Sequence, residues 1–133
     1  PPAGYEDIRA DLDDFTDRMR DAEYATDGDP KETLHKIRRI EWERTRYIYQ
    51  GYYTKKTIKK PVYDWLLKMG HCNAKLIALW KKEGYERACC IDCCMKNDNG
   101  NVCICRVPKE QRKAGNRDAV CSKCGCGGCA SGG

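Results

Sequence analysis

Ile8, Leu12, Phe15, Met19 and Ala22 recur at steps of four, three, four and three in "DIRADLDDFTDRMRDAE". That period is one apolar stripe on a helix otherwise covered in acid, and its Asp-rich first turn complements the helix dipole. The stripe has to bury itself, on the body of the protein or on a partner. "YATDGDP" (24–30) then breaks the pattern and reads as a linker. A second helix is expected from about Lys31 to Tyr53, where Leu34, Ile37, Ile40, Trp42, Tyr47 and Ile48 form a broad apolar side. Arg38, Arg39, Arg44 and Arg46 are scattered among them. The tyrosines of "YIYQGYY" are of the kind that stack on bases, although cores and interfaces use them more often.

"TKKTIKK" (54–60) is a basic turn, and Pro61 follows at a good first helical position. Val62, Trp65, Leu66 and Met69 continue at helical spacing, with Gly70 to close the helix. Asn73 caps a fourth short helix bearing Leu76, Ile77 and Trp80, which Gly84 is expected to end. At Tyr85 the helical period stops. "NDNGN" (97–101) supplies a turn and "VCICRV" (102–107) alternates like a strand, which predicts a short β-hairpin. The fold class that follows is mainly α: N-terminal helices, then a small irregular Cys-rich, metal-stabilised module. The expected divisions are an acidic helix and linker at 1–30, a basic and aromatic helical region at 31–84, and the Cys-rich module at 85–133.

Charge sharpens this picture. The net charge of +5 hides a split, since residues 1–30 carry three basic and ten acidic side chains and residues 31–133 carry twenty-two basic and ten acidic. A body that basic suits a polyanion, and the acidic arm suits protein partners. No run of eighteen apolar residues appears, so no membrane span is expected.

Eleven cysteines in 133 residues change it further, because ten of them fall between Cys89 and Cys129 where large apolar side chains are few. Disulfides are the weaker explanation. No export signal is read in the sequence, the total is odd, and Cys89–Cys90 and Cys103–Cys105 are too close for good bridges. Metal explains more. Cys-x-x-Cys occurs at Cys90/Cys93, Cys121/Cys124 and Cys126/Cys129, a spacing that lets two thiolates converge on one tetrahedral ion. All-sulfur sites favour zinc, with an iron–sulfur cluster the lesser option.

With Cys72 and Cys94 set aside, nine candidate ligands remain: Cys89, Cys90, Cys93, Cys103, Cys105, Cys121, Cys124, Cys126 and Cys129. Two separate four-cysteine sites would leave one unused. Three zinc ions need twelve bonds, which nine thiolates supply if three of them bridge. A shared three-zinc cluster is therefore expected, with two separate sites as the lesser option, and spacing does not reveal the bridging thiolates. Such a cluster carries excess negative charge, for which Arg106, Lys109 and Lys123 are nearby compensation.

"LIALWKKEGYERACCIDC" (76–93), "NVCICRVP" (101–108) and "CSKCGCGGC" (121–129), with "TRYIY" (45–49) and the opening "PPAGY", resemble the G-ten, or bud-site selection protein thirty-one, family. The resemblance covers nearly the whole chain. It implies a nuclear, non-catalytic pre-mRNA splicing factor: a scaffold of the activated spliceosome that travels with Prp-nineteen-related proteins and sits against RNA of the catalytic core. It also implies zinc on the same nine cysteines, and neither a membrane nor a small-molecule substrate.

On this reading the partners are spliceosomal proteins and small nuclear RNA or pre-mRNA. Phosphate contacts are expected from Lys55, Lys56, Lys59 and Lys60 in the basic turn, and from Lys81 and Lys82 after Trp80. Arg106, Lys109, Arg112 and Lys113 beside the metal complete the set. The alternative is a protein-only interaction module, distinguished by its insensitivity to salt. An enzyme is disfavoured. Catalytic zinc keeps an open position, commonly with histidine among its ligands, and His35 and His71 lie outside the cysteine strings.

Overall fold

The computed structural model describes residues 1–24, 28–94, 103–113, 115, 121, 125–126 and 129. The chain divides into two compact units, residues 1–77 and 78–133. Helices dominate, in chain order α1 (Arg9–Glu23), α2 (Pro30–Tyr53), α3 (Lys60–Lys68), α4 (Ala74–Trp80) and the single turn α5 (Ile91–Cys94). No helix among the described residues is long and apolar enough to cross a membrane.

In the first unit, α1 settles the question its stripe raised by lying against α2. Ile8, Leu12 and Ala22 are buried, and the edges of the contact are polar: Tyr47 donates to Asp11 at 2.6 Å and Arg18 pairs with Glu43 at 2.7 Å. Burial and the Asp11 carboxylate together push the Tyr47 hydroxyl well above the ordinary tyrosine range. α2 starts where Asp29 accepts from the Lys31 amide at 3.0 Å with Pro30 in the first turn. Of the expected linker at 24–30, residues 25–27 lie outside the described residues.

α3 ends in a Schellman motif. The His71 amide reaches the Leu66 carbonyl at 3.0 Å and the Gly70 amide that of Leu67 at 3.2 Å, with Gly70 at φ +77°. Asn73 caps α4 as expected, its side-chain oxygen accepting from the Leu76 amide at 3.1 Å. α4 closes at Trp80, short of Gly84. The opening "PPAGY" packs on α3 through an edge-on contact between Tyr5 and Trp65 with ring centroids 5.0 Å apart.

The second unit corrects one expectation. No strand is found among its described residues, and the β-hairpin is not supported: Ile104–Arg106 is a 3-10 turn, closed by Arg106 N–H to Cys103 O at 2.9 Å and Val107 N–H to Ile104 O at 3.1 Å. Alternation of side chains suggested the strand, but tertiary contacts take the backbone groups that a strand partner would need. The Arg112 guanidinium donates to the carbonyls of Ile104 at 2.8 Å and Val107 at 3.0 Å. The expected turn at 97–101 lies outside the described residues.

Candidate metal centre

The buried heart of the second unit is made of sulfur. Cys93, Cys105, Cys121 and Cys129 are buried together, with Cys89, Cys90, Cys103, Ile104 and Cys126 packed around them. Three short pieces of chain, with Cys129 beyond them, deliver these side chains. Cys89 and Cys90 precede α5, and Cys93 lies within it, three residues after Cys90 and so on the same side of a helical turn. The 3-10 turn supplies Cys103 and Cys105. Cys121 and Cys126 flank a tight reversal in which the Gly125 amide donates to Cys121 O and the Cys121 amide to Cys126 O, each at 2.9 Å. Gly125 has φ +75°, a conformation that a side chain would strain.

Three groups of thiols have sulfurs mutually within 4.8 Å: Cys89, Cys105, Cys126 and Cys129; Cys93, Cys103, Cys105 and Cys121; and Cys89, Cys90 and Cys93. Cys89, Cys93 and Cys105 each belong to two groups. Close sulfur pairs include Cys103–Cys121 at 3.2 Å, Cys93–Cys121 at 3.4 Å and Cys89–Cys105 at 3.6 Å. These are non-bonded separations, far longer than a disulfide. Sulfurs about 2.3 Å from a tetrahedral ion stand about 3.8 Å from one another, so the donor set and its spacing fit metal. Many cysteines close together could therefore hold metal ions here. Cys124 lies outside the described residues, while Cys72 and Cys94 join none of the three groups.

A cation reaches the cysteines. Arg106 donates to Cys129 Sγ at 3.3 Å and to the Gly84 carbonyl, and its guanidinium lies 4.6 Å from the centre of the Tyr85 ring. Hydrogen bonds from Cys105, Cys126, Cys89 and Cys94 hold the Cys129 thiol far below the usual thiol range. Cys72 is the opposite case. It belongs to the first unit, and burial pushes it up to about 11.

Sequence reasoning gave the ligand candidates but missed two supports. Trp80 is buried, and its indole donates to the Ala88 carbonyl at 2.8 Å, one residue before Cys89. Arg112 is 5% exposed and fastens the turn that carries Cys105. Neither role has a local signal, because each depends on a carbonyl reached only after folding.

The basic side chains expected to meet phosphate differ in their exposure and partners. Lys55, Lys56, Lys59, Lys81, Lys82 and Lys113 are exposed, whereas Lys60 is exposed but paired with Asp64 at 2.9 Å. Arg106 faces the cysteines and Arg112 the 3-10 turn, so neither presents its charge as a surface lysine does. The Lys109 side chain and Lys123 lie outside the described residues.

Comparison with known proteins places these features in a family. The model of the family "Pre-mRNA-splicing factor BUD31" matches residues 1–131. The chain belongs to the BUD31 family. It is 43% identical over 143 residues to the pre-mRNA-splicing factor BUD31 of Saccharomyces cerevisiae, covering 98% of this chain and 91% of that protein. It is 42% identical over 134 residues to the pre-mRNA-splicing factor cwf14 of Schizosaccharomyces pombe, with the same coverage of 98% and 91%. Against the BUD31 homolog of Danio rerio the identity is 41% over 133 residues, covering 97% of this chain and 92% of that protein. The resemblance read from the cysteine strings is thus the family to which the whole chain belongs, and its BUD31 and cwf14 relatives are named as pre-mRNA-splicing factors.

Proposed function

We propose that this BUD31-family protein is a non-catalytic nuclear splicing scaffold whose zinc-stabilised, basic body contacts RNA and neighbouring splicing proteins, those of the Prp-nineteen-related group among them. The observation that carries the reading is the sharing of Cys89, Cys93 and Cys105 between groups of thiols. Three ions need twelve bonds. The eight described thiols supply eleven when those three bridge, and Cys124 is the remaining donor. Cys89, Cys93 and Cys105 are then the bridges, and Cys90, Cys103, Cys121, Cys124, Cys126 and Cys129 bind one ion each. Zinc suits an all-thiolate tetrahedral set, and a site filled by sulfur keeps no position for an activated water. That makes the metal structural and argues against an enzyme.

A unit built on metal rather than on a large apolar core holds its shape before it meets a partner, which lowers the ordering cost of binding. The exposed lysines at 55, 56, 59, 81, 82 and 113 form the proposed phosphate contacts, with Lys60 and Lys109 at their margins. Arg106 and Arg112 act from inside by holding the metal-bound turn.

Metal quantification beside native mass tests the first half. Three zinc ions per chain are expected, whereas two would replace the shared cluster by separate sites and none would reject both. Binding of short structured RNAs by the zinc-loaded protein over a salt series tests the second. Affinity falling steeply with salt supports phosphate contact, and salt-insensitive partner binding without RNA affinity leaves the protein-only module.

A further inference from the structure

The outward side of α2 carries Arg39, Trp42, Arg46, Tyr49 and Tyr53 at steps of three, four, three and four, which places all five in one stripe. The buried Ile40, Ile48 and Gly51 occupy the other side of the helix. The stripe is a ladder of planar groups. The Arg39 guanidinium lies 4.7 Å from the Trp42 ring centre, and that of Arg46 lies 5.7 Å from Trp42 and 5.3 Å from Tyr49. Tyr49 and Tyr53 follow with centroids 5.1 Å apart. Arg39 is 60% exposed and Tyr53 40%.

Trp42, Arg46 and Tyr49 are half-buried and Tyr53, though edge-on to the buried Tyr63, is exposed, so each ring keeps part of its surface in solvent. Alternation with arginine gives the surface its chemistry: flat π faces extended by guanidinium planes, with the Arg39 charge shared by Glu43 at 3.2 Å. The ladder runs about 21 Å at 1.5 Å per residue and ends beside the exposed Lys55 and Lys56. An apolar peptide would seek a pocket, whereas successive flat faces on a convex helix suit successive unstacked bases, with the lysines meeting the phosphates.

We infer that this face of α2 is a stacking platform for single-stranded RNA, taking unpaired bases on the Arg39–Trp42–Arg46–Tyr49–Tyr53 ladder. The inference rests on the RNA-contact reading above and specifies the kind of RNA and the means of holding it. Duplex RNA hides its base faces and should compete poorly for the site.

The test is binding of a fluorescein-labelled oligouridylate of about ten nucleotides to the zinc-loaded full chain, followed over a salt series. The variants are Arg39→Lys with Arg46→Lys, which keep charge and remove the planes; Tyr49→Leu; and Lys55→Ala with Lys56→Ala, with helix content and thermal unfolding compared throughout. Losses of about tenfold in the first two with an unchanged salt slope, and a shallower slope in the lysine pair, support the platform. The arginine pair keeps the test decisive if Tyr49→Leu does not fold. Ladder variants that bind like wild type while the lysine pair weakens would overturn stacking and leave the RNA reading intact. A wild-type protein without salt-sensitive affinity for this RNA or for structured RNAs would remove the RNA reading and the platform together, and assign the ladder to a protein partner.

Discussion

The Trp80 indole nitrogen donates to the Ala88 carbonyl at 2.8 Å, tying the end of α4 to the residue that precedes the first cysteine pair. The contact is buried, so the carbonyl has no water to fall back on if the donor is removed. Trp80→Phe keeps most of the apolar bulk and removes the N–H. The expected loss is about 1–3 kcal/mol, with faster zinc release to a chromophoric chelator because Cys89 and Cys90 are less well held. Release at the wild-type rate would mean that α4 does not support the cysteines.

Bridging and terminal thiolates should respond differently to substitution. Cys105 belongs to two thiol groups and Cys126 to one. Cys105→Ser is therefore expected to lower the zinc content by more than one ion per chain, and Cys126→Ser by one at most. Native mass spectrometry reads both, and equal losses would contradict the bridging assignment.

If the proposed zinc holds the second unit, its removal should divide the molecule. The second unit has a sulfur heart where the first has Leu12, Ile40, Ile48 and Leu66. Chelation under reducing conditions is expected to unfold the cysteine segment while most of the helical circular dichroism persists. Hydrogen exchange would locate the loss, and uniform deprotection of α1–α3 would refute the division.

A side chain at Gly51 would press on Ile58. A Cβ there would stand 2.6 Å from Ile58 Cδ1 and 2.9 Å from Cγ1, and Ile58 is itself buried. Alanine gains up to about 1 kcal/mol in helix propensity, whereas overpacking costs about 1–3 kcal/mol. Gly51→Ala should therefore be neutral to destabilising by about 2 kcal/mol in thermal or urea unfolding, and a raised melting temperature would contradict the packing.

His71 gives a pH dependence. Burial, and then the nearby Arg44 charge, lower its pKa from 6.5, so the folded protein favours the neutral ring. The unfolded chain accepts the proton first as pH falls. The stability His71 contributes is complete above the unfolded value and is lost as pH drops through the folded one. His71→Gln should flatten the stability profile below about pH 6.5 relative to wild type, while the cysteines contribute equally to both proteins. Parallel profiles would show that His71 is not held neutral.

The sequence by itself determined what short range can encode. Apolar steps of three and four fixed α1 and α2, Asn73 announced the start of α4, Gly70 ended α3, and the Cys-x-x-Cys spacings picked out the sulfur donors. Only the tertiary structure decided how these parts combine. The alternation around Cys103 and Cys105 suited a strand, yet Arg112 from beyond the turn takes its carbonyls and leaves a 3-10 turn. The sequence offered Arg106 as a counter-charge for the cysteines, but only the fold decides that it meets Cys129 and also holds the Gly84 carbonyl. Which thiols belong to two groups was illegible for the same reason. Cys93 and Cys121 are 28 positions apart in the chain and 3.4 Å apart in space, and spacing along a chain carries no information about a convergence that the whole fold must produce.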